Sequence, residues 1–147
     1  PEGEWNDRFL AEIQGQFDPS RVHFTGTLPY DQFVPLLQLS ACHVYLTYPF
    51  VMSWSLLEAM ACGCAVVGSD TAPVREAIHH GHNGLLVDFF SPNDLAVAVA
   101  EVLADRDRAA AFGVAARETV ERTYDLDACV TRQLALMDLV ASGSINT

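Results

Sequence analysis

Apolar residues recur along most of the chain at the spacing of helices or strands. Near the start they are three or four residues apart, which predicts a helix with one buried face over residues 5–17. Similar spacing predicts further helices over residues 29–41, 55–62, 74–79, 92–104, 106–122 and 126–141, and short apolar runs predict strands over residues 21–25, 42–48, 65–69 and 84–87. Pro35 should bend the second helix, and Gly63 should end the third.

Four short strands alternate with helices, and helices alone follow them. This order predicts an α/β fold with a doubly wound (Rossmann-like) parallel sheet and a C-terminal helical tail. With 147 residues, half of them hydrophobic, we expect one domain over residues 1–141 and a frayed terminus over 142–147. Such sheets bind ligands at the carboxyl ends of their strands, so candidate site residues should lie within 26–29, 48–55, 70–74 and 88–91.

The formal net charge of −11 restricts the possible partners. Nucleic acids and anionic membrane surfaces require a basic face, so we expect neither as a partner of this segment. All eight cationic residues other than histidine are arginines, and the chain contains no lysine. Arginine, backbone N–H groups or a partner must therefore hold any anionic ligand.

Cysteine spacing and apolar run lengths indicate the compartment. Cys42, Cys62, Cys64 and Cys129 have neither the paired spacing of a zinc site nor that of a disulfide framework, so we expect reduced, mostly buried thiols. No apolar run reaches the roughly 18 residues that a bilayer requires, and no signal-peptide pattern opens the chain, so we expect a cytoplasmic protein. The polar start at Pro1 suggests a fragment of a longer protein.

The segment from Tyr48 to Ser55 leaves a predicted strand and enters a predicted helix. Free N–H groups near Ser53, Trp54 and Ser55 would form an anion site suited to a phosphate or pyrophosphate. The alternative is a simple capping box, in which Ser55 caps the helix and Glu58 folds back onto the Ser55 N–H. The spacing alone favours the capping box, because capping boxes are common.

Four motifs give the chain a family resemblance. Residues 57–67 read Leu-Glu-Ala-Met-Ala-Cys-Gly-Cys-Ala-Val-Val, followed by Glu-Ala-Ile at 76–78 and Asn-Gly-Leu-Leu-Val at 83–87. Upstream, residues 22–26 read Val-His-Phe-Thr-Gly. With these motifs the chain resembles the retaining family 4, or group 1, glycosyltransferases of the two-domain GT-B arrangement. The resemblance covers residues 21–140 and implies that the chain is half of a GT-B fold.

The resemblance assigns roles to ten residues of a site for a nucleoside-diphosphate sugar. Glu58 would accept hydrogen bonds from the ribose hydroxyls, because a carboxylate can take two hydroxyl donors at once. The backbone of Met52, Ser53, Trp54 and Ser55 would face the diphosphate or the sugar. The segment Thr27, Leu28 and Pro29 would lie along the base, and Thr71 and Ala72 would lie near the sugar. The nucleotide sugar is a substrate, so no cofactor and no metal are expected.

The chain departs from the family pattern where the sugar should be bound. Phe50 stands where the family has its first glutamate, which contacts donor-sugar hydroxyls, and Val51 and Ser53 replace two glycines. The family's first strand, with a Gly-Arg and a lysine that neutralise the diphosphate, is absent from the sequence, as is the N-terminal acceptor domain expected as its partner. We therefore expect the chain alone to be inactive.

Other polar and aromatic residues near the strand ends are weaker candidates. The histidines at 79, 80 and 82 are more typical of a helix C-terminus than of a metal site. Asp70 is expected as a polar turn residue. Arg75, the one cation near the predicted pocket, faces either the diphosphate or solvent, and Phe89 and Phe90 are expected to pack in the core or at a domain interface.

These observations lead to one functional hypothesis and two alternatives. The intact enzyme would transfer a sugar to an acceptor hydroxyl with retention and without a metal, and no catalytic residue is assigned in this half. One alternative is a non-catalytic nucleotide- or protein-binding module of the same fold, which the replacement by Phe50 permits. The other is a nucleotide-sugar epimerase with the same plan. The base, the sugar and the acceptor are not indicated by the sequence.

Overall fold

The computed structural model describes residues 2–48 and 50–143. The expected frayed terminus is outside the described residues from position 144 onward, and so is the side chain of Trp5. Within the described part, the helices are α1 (Glu2–Glu12), α2 (Tyr30–Leu39), α3 (Trp54–Ala61), α4 (Ala72–Arg75), α5 (Pro92–Ala104), α6 (Arg106–Thr123) and α7 (Leu126–Ala141), with a 3₁₀ turn at Pro19–Arg21. The strands are β1 (His43–Tyr45), β2 (Val66–Ser69) and β3 (Leu85–Val87).

The three strands form one parallel sheet in the order β1-β2-β3. Val44 pairs with Val67, and Gly68 pairs with Leu86, so β2 is the central strand. A helix lies between successive strands, as the alternation of strand and helix signals predicts. The strands are short, and the three loops that follow them lie at the same edge of the sheet, where the strands have their carboxyl ends.

The predicted strand over residues 21–25 was wrong. Residues 22–26 have no regular secondary structure, and the side chains of Val22 and Phe24 are 40% and 63% exposed. A strand is held by a neighbour that pairs with its N–H and C=O groups, and no strand in the described part of the chain pairs with this segment. The local β-propensity of the segment therefore has nothing to stabilise it.

Apolar side chains cover both faces of the sheet. All four residues of β2 are buried, and Val66 and Val67 point to opposite faces, as strand geometry requires. One face packs against α2, α3, α4 and α6, and the other packs against α5 and α6, with the residues Ala98, Val102 and Phe112. These two layers confirm the predicted doubly wound arrangement.

A glycine turn ends α3 and brings it against α6. Gly63 has φ +77° and donates its N–H to Met60 O at 3.0 Å, while Cys64 donates to Ala59 O at 3.0 Å, which is the Schellman pattern. Gly63 therefore ends the helix as predicted. A Cβ atom added to Gly113 in α6 would overlap the Gly63 carbonyl oxygen, so the two glycines let the backbones approach closely.

A buried amide ties the turn before β3 to α6. Asn83 is fully buried, and its Oδ1 accepts the His79 N–H at 2.7 Å. Its Nδ2 donates to Ala77 O at 3.0 Å and to Thr119 Oγ1 at 3.1 Å. Thr119 Oγ1 also donates to Ala115 O at 2.8 Å, so the polar groups form a closed network. This network fixes the position of the segment that follows α4.

The predicted C-terminal helices all form. Aspartate side chains cap two of them: Asp105 Oδ1 accepts the Arg108 N–H at 2.9 Å, and Asp125 Oδ1 accepts the Ala128 N–H at 3.0 Å. Helix α6 packs against α3 and α5, whereas every residue of α7 is exposed except the half-buried Cys129. The apolar residues of α7 thus lack cover in the described part of the chain.

Candidate functional site

The loop between β1 and α3 is fixed at both ends by hydroxyl groups of the sheet. The buried Ser69 Oγ accepts the Thr47 N–H at 2.9 Å and donates to Thr47 O at 2.7 Å. At the other end, the Tyr45 hydroxyl accepts the Ser53 N–H at 2.8 Å. The loop therefore starts and ends at positions that the sheet determines.

Ser53, and not Ser55, is the N-cap of α3. Its Oγ accepts the Ser55 N–H at 3.3 Å, and the helix begins at Trp54. The predicted capping box was wrong by two residues, because the Ser53 side chain satisfies the donor that Glu58 would have reached. Glu58 consequently lies in the second turn of the helix, and its carboxylate does not cap a backbone N–H group.

The predicted anion site at this helix start is smaller than the sequence suggested. The Ser53 and Ser55 N–H groups already have acceptors within the protein. Among residues 2–48 and 50–143, the Trp54 N–H has no acceptor, and its indole is 83% exposed. One open backbone donor thus remains of the three that were predicted.

Glu58 lies beside the start of α2. Its side chain is half-buried, and the charge of its carboxylate is the main cause that raises the pKa of the exposed Tyr30 phenol. Tyr30 is the first residue of α2 and directly follows Thr27, Leu28 and Pro29, of which only Leu28 is half-buried. The structure thus brings the Glu58 carboxylate next to Tyr30, the residue that directly follows the predicted base-binding segment.

The turn after β2 holds Thr71 and Ala72 at the same edge of the sheet. The Asp70 N–H donates to Val87 O at 2.7 Å, which extends the β2–β3 pairing by one residue. Thr71 precedes the short helix α4, and its Oγ1 is buried without a hydrogen-bond partner in the described part of the chain. Ala72 begins α4 and is exposed.

An open groove of about 610 Å³ lies between these two loops. One wall comes from the loop before α3 and the other from α4, and the lining residues are Phe50, Val51, Met52, Ala72, Pro73 and Glu76. Two of the predicted sugar-site residues, Met52 and Ala72, therefore face the same space. The space adjoins the carboxyl ends of β1 and β2, where ligands of parallel sheets bind.

Asp70 and Arg75 bind each other. Arg75 Nη2 donates to Asp70 Oδ2 at 2.8 Å, and Arg75 Nε donates to Asp70 Oδ1. This paired contact holds the pKa of Asp70 below its usual value and raises that of Arg75. The Arg75 side chain is 61% exposed, so it faces solvent, which was one of the two predicted alternatives, and it also pairs with Asp70 in the turn after β2.

Three aromatic rings meet at the ends of β1 and β3. Tyr48 lies with its ring centroid 5.5 Å from Phe89 and 5.0 Å from Phe90, and the two phenylalanines are 5.0 Å apart. Phe90 is 69% exposed, so of the two predicted locations the core does not hold for it, and packing at a domain interface stays a prediction. The rings instead form a surface cluster.

Three residues of this region were not assigned a role from the sequence. Tyr45 fixes the loop before α3, Tyr30 neighbours Glu58, and Glu76 lines the groove. Their roles depend on which elements come together across the fold. Two of them had a sequence signal. Tyr30 follows Pro29 near the start of a predicted helix, and Glu76 is the glutamate of the Glu-Ala-Ile motif at 76–78.

The described residues contain no cluster of three or more histidine, cysteine, aspartate or glutamate side chains that could hold a metal ion. His80 Nδ1 already accepts the Leu86 N–H at 2.9 Å. All four cysteines are free, and the buried Cys64 thiol donates to Leu37 O at 3.0 Å. No helix in the described ranges combines the length and the apolar character needed to cross a bilayer.

The chain is similar in sequence to known glycosyltransferases. The family model described as glycosyl transferases group 1 matches residues 2–119. A curated relative, a GDP-mannose-dependent alpha-(1-6)-phosphatidylinositol monomannoside mannosyltransferase of Mycobacterium tuberculosis, is 44% identical over 71 residues, which are 48% of this chain and 18% of that protein.

Two solved structures share the fold over nearly the whole chain. Sucrose-phosphate synthase from Thermosynechococcus elongatus superposes with a TM-score of 0.82 at 25% identity, covering 95% of this chain and 35% of that one. HepE from Anabaena, in complex with UDP-glucose, also gives a TM-score of 0.82, at 21% identity, covering 96% and 38%. The chain thus spans less than two fifths of each of these proteins.

Proposed function

The chain belongs to the group 1 glycosyltransferases, and from this premise we propose that it is the donor-binding half of an enzyme that transfers a sugar from a nucleoside-diphosphate sugar to an acceptor hydroxyl. Its structural neighbours are GT-B glycosyltransferases, and one of them, HepE, was solved with UDP-glucose. The α/β fold, half of a GT-B fold, is the one that the sequence predicted.

The position of Glu58 is the observation that carries the proposal. Its carboxylate is not used to cap α3 and lies beside Tyr30, directly after residues 27–29. A carboxylate in this position can accept two hydrogen bonds from a ribose, while the base extends along the adjacent backbone of Thr27, Leu28 and Pro29. We therefore assign the ribose to Glu58 and the base to that segment.

The remaining residues would contact the diphosphate and the sugar. The open Trp54 N–H at the start of α3, with Met52, Ser53 and Ser55 around it, would face the diphosphate, because a helix N-terminus favours negative charge. Thr71 and Ala72 would border the sugar. The reaction would retain the anomeric configuration and need no metal, and no residue of this half is assigned as the nucleophile.

The acceptor would bind a separate N-terminal domain of the same enzyme, and the chain alone would not transfer sugar. The family members compared are roughly two and a half times as long as this chain, which supports the division into a donor domain over residues 1–141 and a partner domain. The four free thiols fit the cytoplasmic setting proposed from the sequence.

Nucleotide titration of Glu58 variants tests the proposal. In calorimetric titrations with UDP and GDP, E58A should lose roughly 1–3 kcal/mol of the binding energy for the preferred nucleotide, because the ribose hydroxyls lose a charged acceptor. E118A is the matched control: Glu118 is an exposed glutamate of α6, without a hydrogen bond or ion pair in the described residues. It should bind like the wild type.

The outcomes separate the proposal from its alternatives. Equal affinity of E58A and wild type would refute the ribose contact. Failure of the complete enzyme to bind any nucleoside diphosphate would favour a non-catalytic protein-binding module. An epimerase would be indicated if the complete enzyme released nucleoside diphosphate and an epimerised monosaccharide without an acceptor. NMR of the anomeric proton of the product, with and without EDTA, tests retention and metal independence.

A further inference from the structure

The groove between the loop before α3 and α4 has one charged side chain. Of its six lining residues, five are apolar, and the sixth is Glu76 at the end of α4. Phe50, on the opposite wall, is 76% exposed and has no atom that can accept a hydrogen bond. A hydroxyl-rich ligand in this groove thus finds a single ionised acceptor side chain.

The other carboxylates at this edge of the sheet are already engaged. Asp70 accepts two hydrogen bonds from Arg75, and Asp88 Oδ1 accepts the Phe90 N–H at 2.8 Å. The Glu76 carboxylate makes no hydrogen bond or ion pair with the described residues. Its charge is the second cause, after burial, that raises the pKa of the Tyr124 phenol. Both Glu76 oxygens are therefore available to a ligand.

We propose that Glu76 binds hydroxyl groups of the donor sugar and replaces, from the α4 side of the groove, the carboxylate that Phe50 cannot supply. This inference rests on the proposed function and adds a specificity-determining residue to it. The apolar wall of Phe50, Val51 and Met52 contacts the C–H faces of the sugar ring. The carboxylate accepts from two neighbouring hydroxyls, which fixes the orientation of the ring.

The same arrangement selects against acidic sugars. No cation is among the described residues that line the groove, and the guanidinium of Arg75, which precedes Glu76 in the sequence, is bound to Asp70. The carboxylate of a uronic acid would therefore meet Glu76 without a compensating charge. A neutral hexose is the sugar class that fits, and a uronic acid is disfavoured.

Comparing nucleotide sugars with nucleoside diphosphates isolates the sugar contact. Wild type and E76A are titrated calorimetrically with UDP, UDP-glucose, GDP and GDP-mannose. E76A should bind the preferred nucleotide sugar about tenfold more weakly, with unchanged affinity for the corresponding diphosphate. E118A should match wild type for both ligands. UDP-glucuronate should bind more weakly than UDP-glucose to wild type, and E76Q should reduce that difference.

A second variant separates a sugar contact from a structural effect. Phe50 is exposed, so adding F50E to E76A places a carboxylate on the opposite wall without disturbing the core. The double variant should recover part of the lost affinity for the nucleotide sugar. A purely structural role of Glu76 would predict no recovery and an equal loss for the diphosphate.

Three results would overturn the inference, and one of them would also refute the proposed function. Unchanged affinity of E76A for the nucleotide sugar, or equal weakening for sugar and diphosphate, excludes Glu76 as a sugar ligand while leaving the Glu58 assignment intact. Failure of the wild type to bind any of the four ligands refutes the proposed function itself. The response of E58A to the diphosphate alone distinguishes these cases.

Discussion

Replacement of Asn83 by alanine tests whether the buried amide network holds the turn before β3 against α6. Three groups lose a hydrogen bond: the His79 N–H, the Ala77 carbonyl and the Thr119 hydroxyl. Ala77 is fully buried, and Thr119 is 5% exposed, so water cannot replace the amide at either group. His79 is exposed, and its N–H can be hydrated.

The expected loss of stability follows from these burials. An orphaned buried carbonyl costs about 1–3 kcal/mol, and the lost hydrogen bond to Thr119 adds about 1 kcal/mol, because that hydroxyl keeps its bond to Ala115. We therefore expect N83A to lower the free energy of unfolding by about 3 kcal/mol. With an m-value of about 2 kcal/mol/M, the urea midpoint should fall by about 1.5 M.

Equilibrium urea unfolding of wild type and four variants checks this estimate. N93A, which removes an exposed asparagine of α5, should stay within about 0.5 kcal/mol of wild type. T119V and the double variant N83A/T119V complete a mutant cycle, in which we expect a coupling energy of about 1 kcal/mol. A loss below about 1 kcal/mol for N83A, or strict additivity in the cycle, would refute the proposed role of the network.

Three further changes test the packing and the loop anchors. G113A should destabilise the fold by about 3 kcal/mol or more in thermal unfolding, because its Cβ overlaps the Gly63 carbonyl; a change below 1 kcal/mol would mean that α6 can shift freely. Burial raises the pKa of the Cys64 thiol to about 11. The neutral thiol's contribution to the free energy of unfolding is therefore complete below pH 9, and roughly 2–3 kcal/mol of it should be lost between pH 9 and 11. C64A should flatten this alkaline decline, and an identical pH profile would contradict the assignment. Y45F removes the acceptor of the Ser53 N–H and should cost about 1 kcal/mol in urea unfolding, whereas no loss would show that water replaces the phenol.

The sequence predicted the fold where local pattern and tertiary environment agree. Buried apolar runs became β1, β2 and β3, and Gly63 marked the end of α3 through its left-handed backbone. The segment at 21–25 has the composition of a strand but no partner in the described part of the chain, and pairing is a property of two segments that neither one carries alone. The wrong prediction of a strand at 21–25 shows why strands are harder than helices to predict from sequence.

The sequence predicted where the candidate site lies better than it predicted the contacts between the residues of the site. Residues after β1 and β2 do meet at one edge, as the rule for parallel sheets requires. The choice of Ser53 over Ser55 as cap depended on the Tyr45 hydroxyl, a residue eight positions away on a strand. The pairing of Asp70 with Arg75 likewise depended on the shape of α4, which is shorter than its apolar pattern suggested.

The exposure of α7 has a consequence for how unfolding must be measured. A helix of 16 residues without a packed face is marginal in water, so its amides should open locally at little cost. Hydrogen exchange should thus be fast along α7 and slow in β2 and α3, which open only when the whole domain unfolds. Circular dichroism reports the helix content of α7 and of the core together, so the unfolding transition that it records would appear broader than that of the core alone. Exchange of the Val66 and Val67 amides is the measure that reports the stability of the sheet itself.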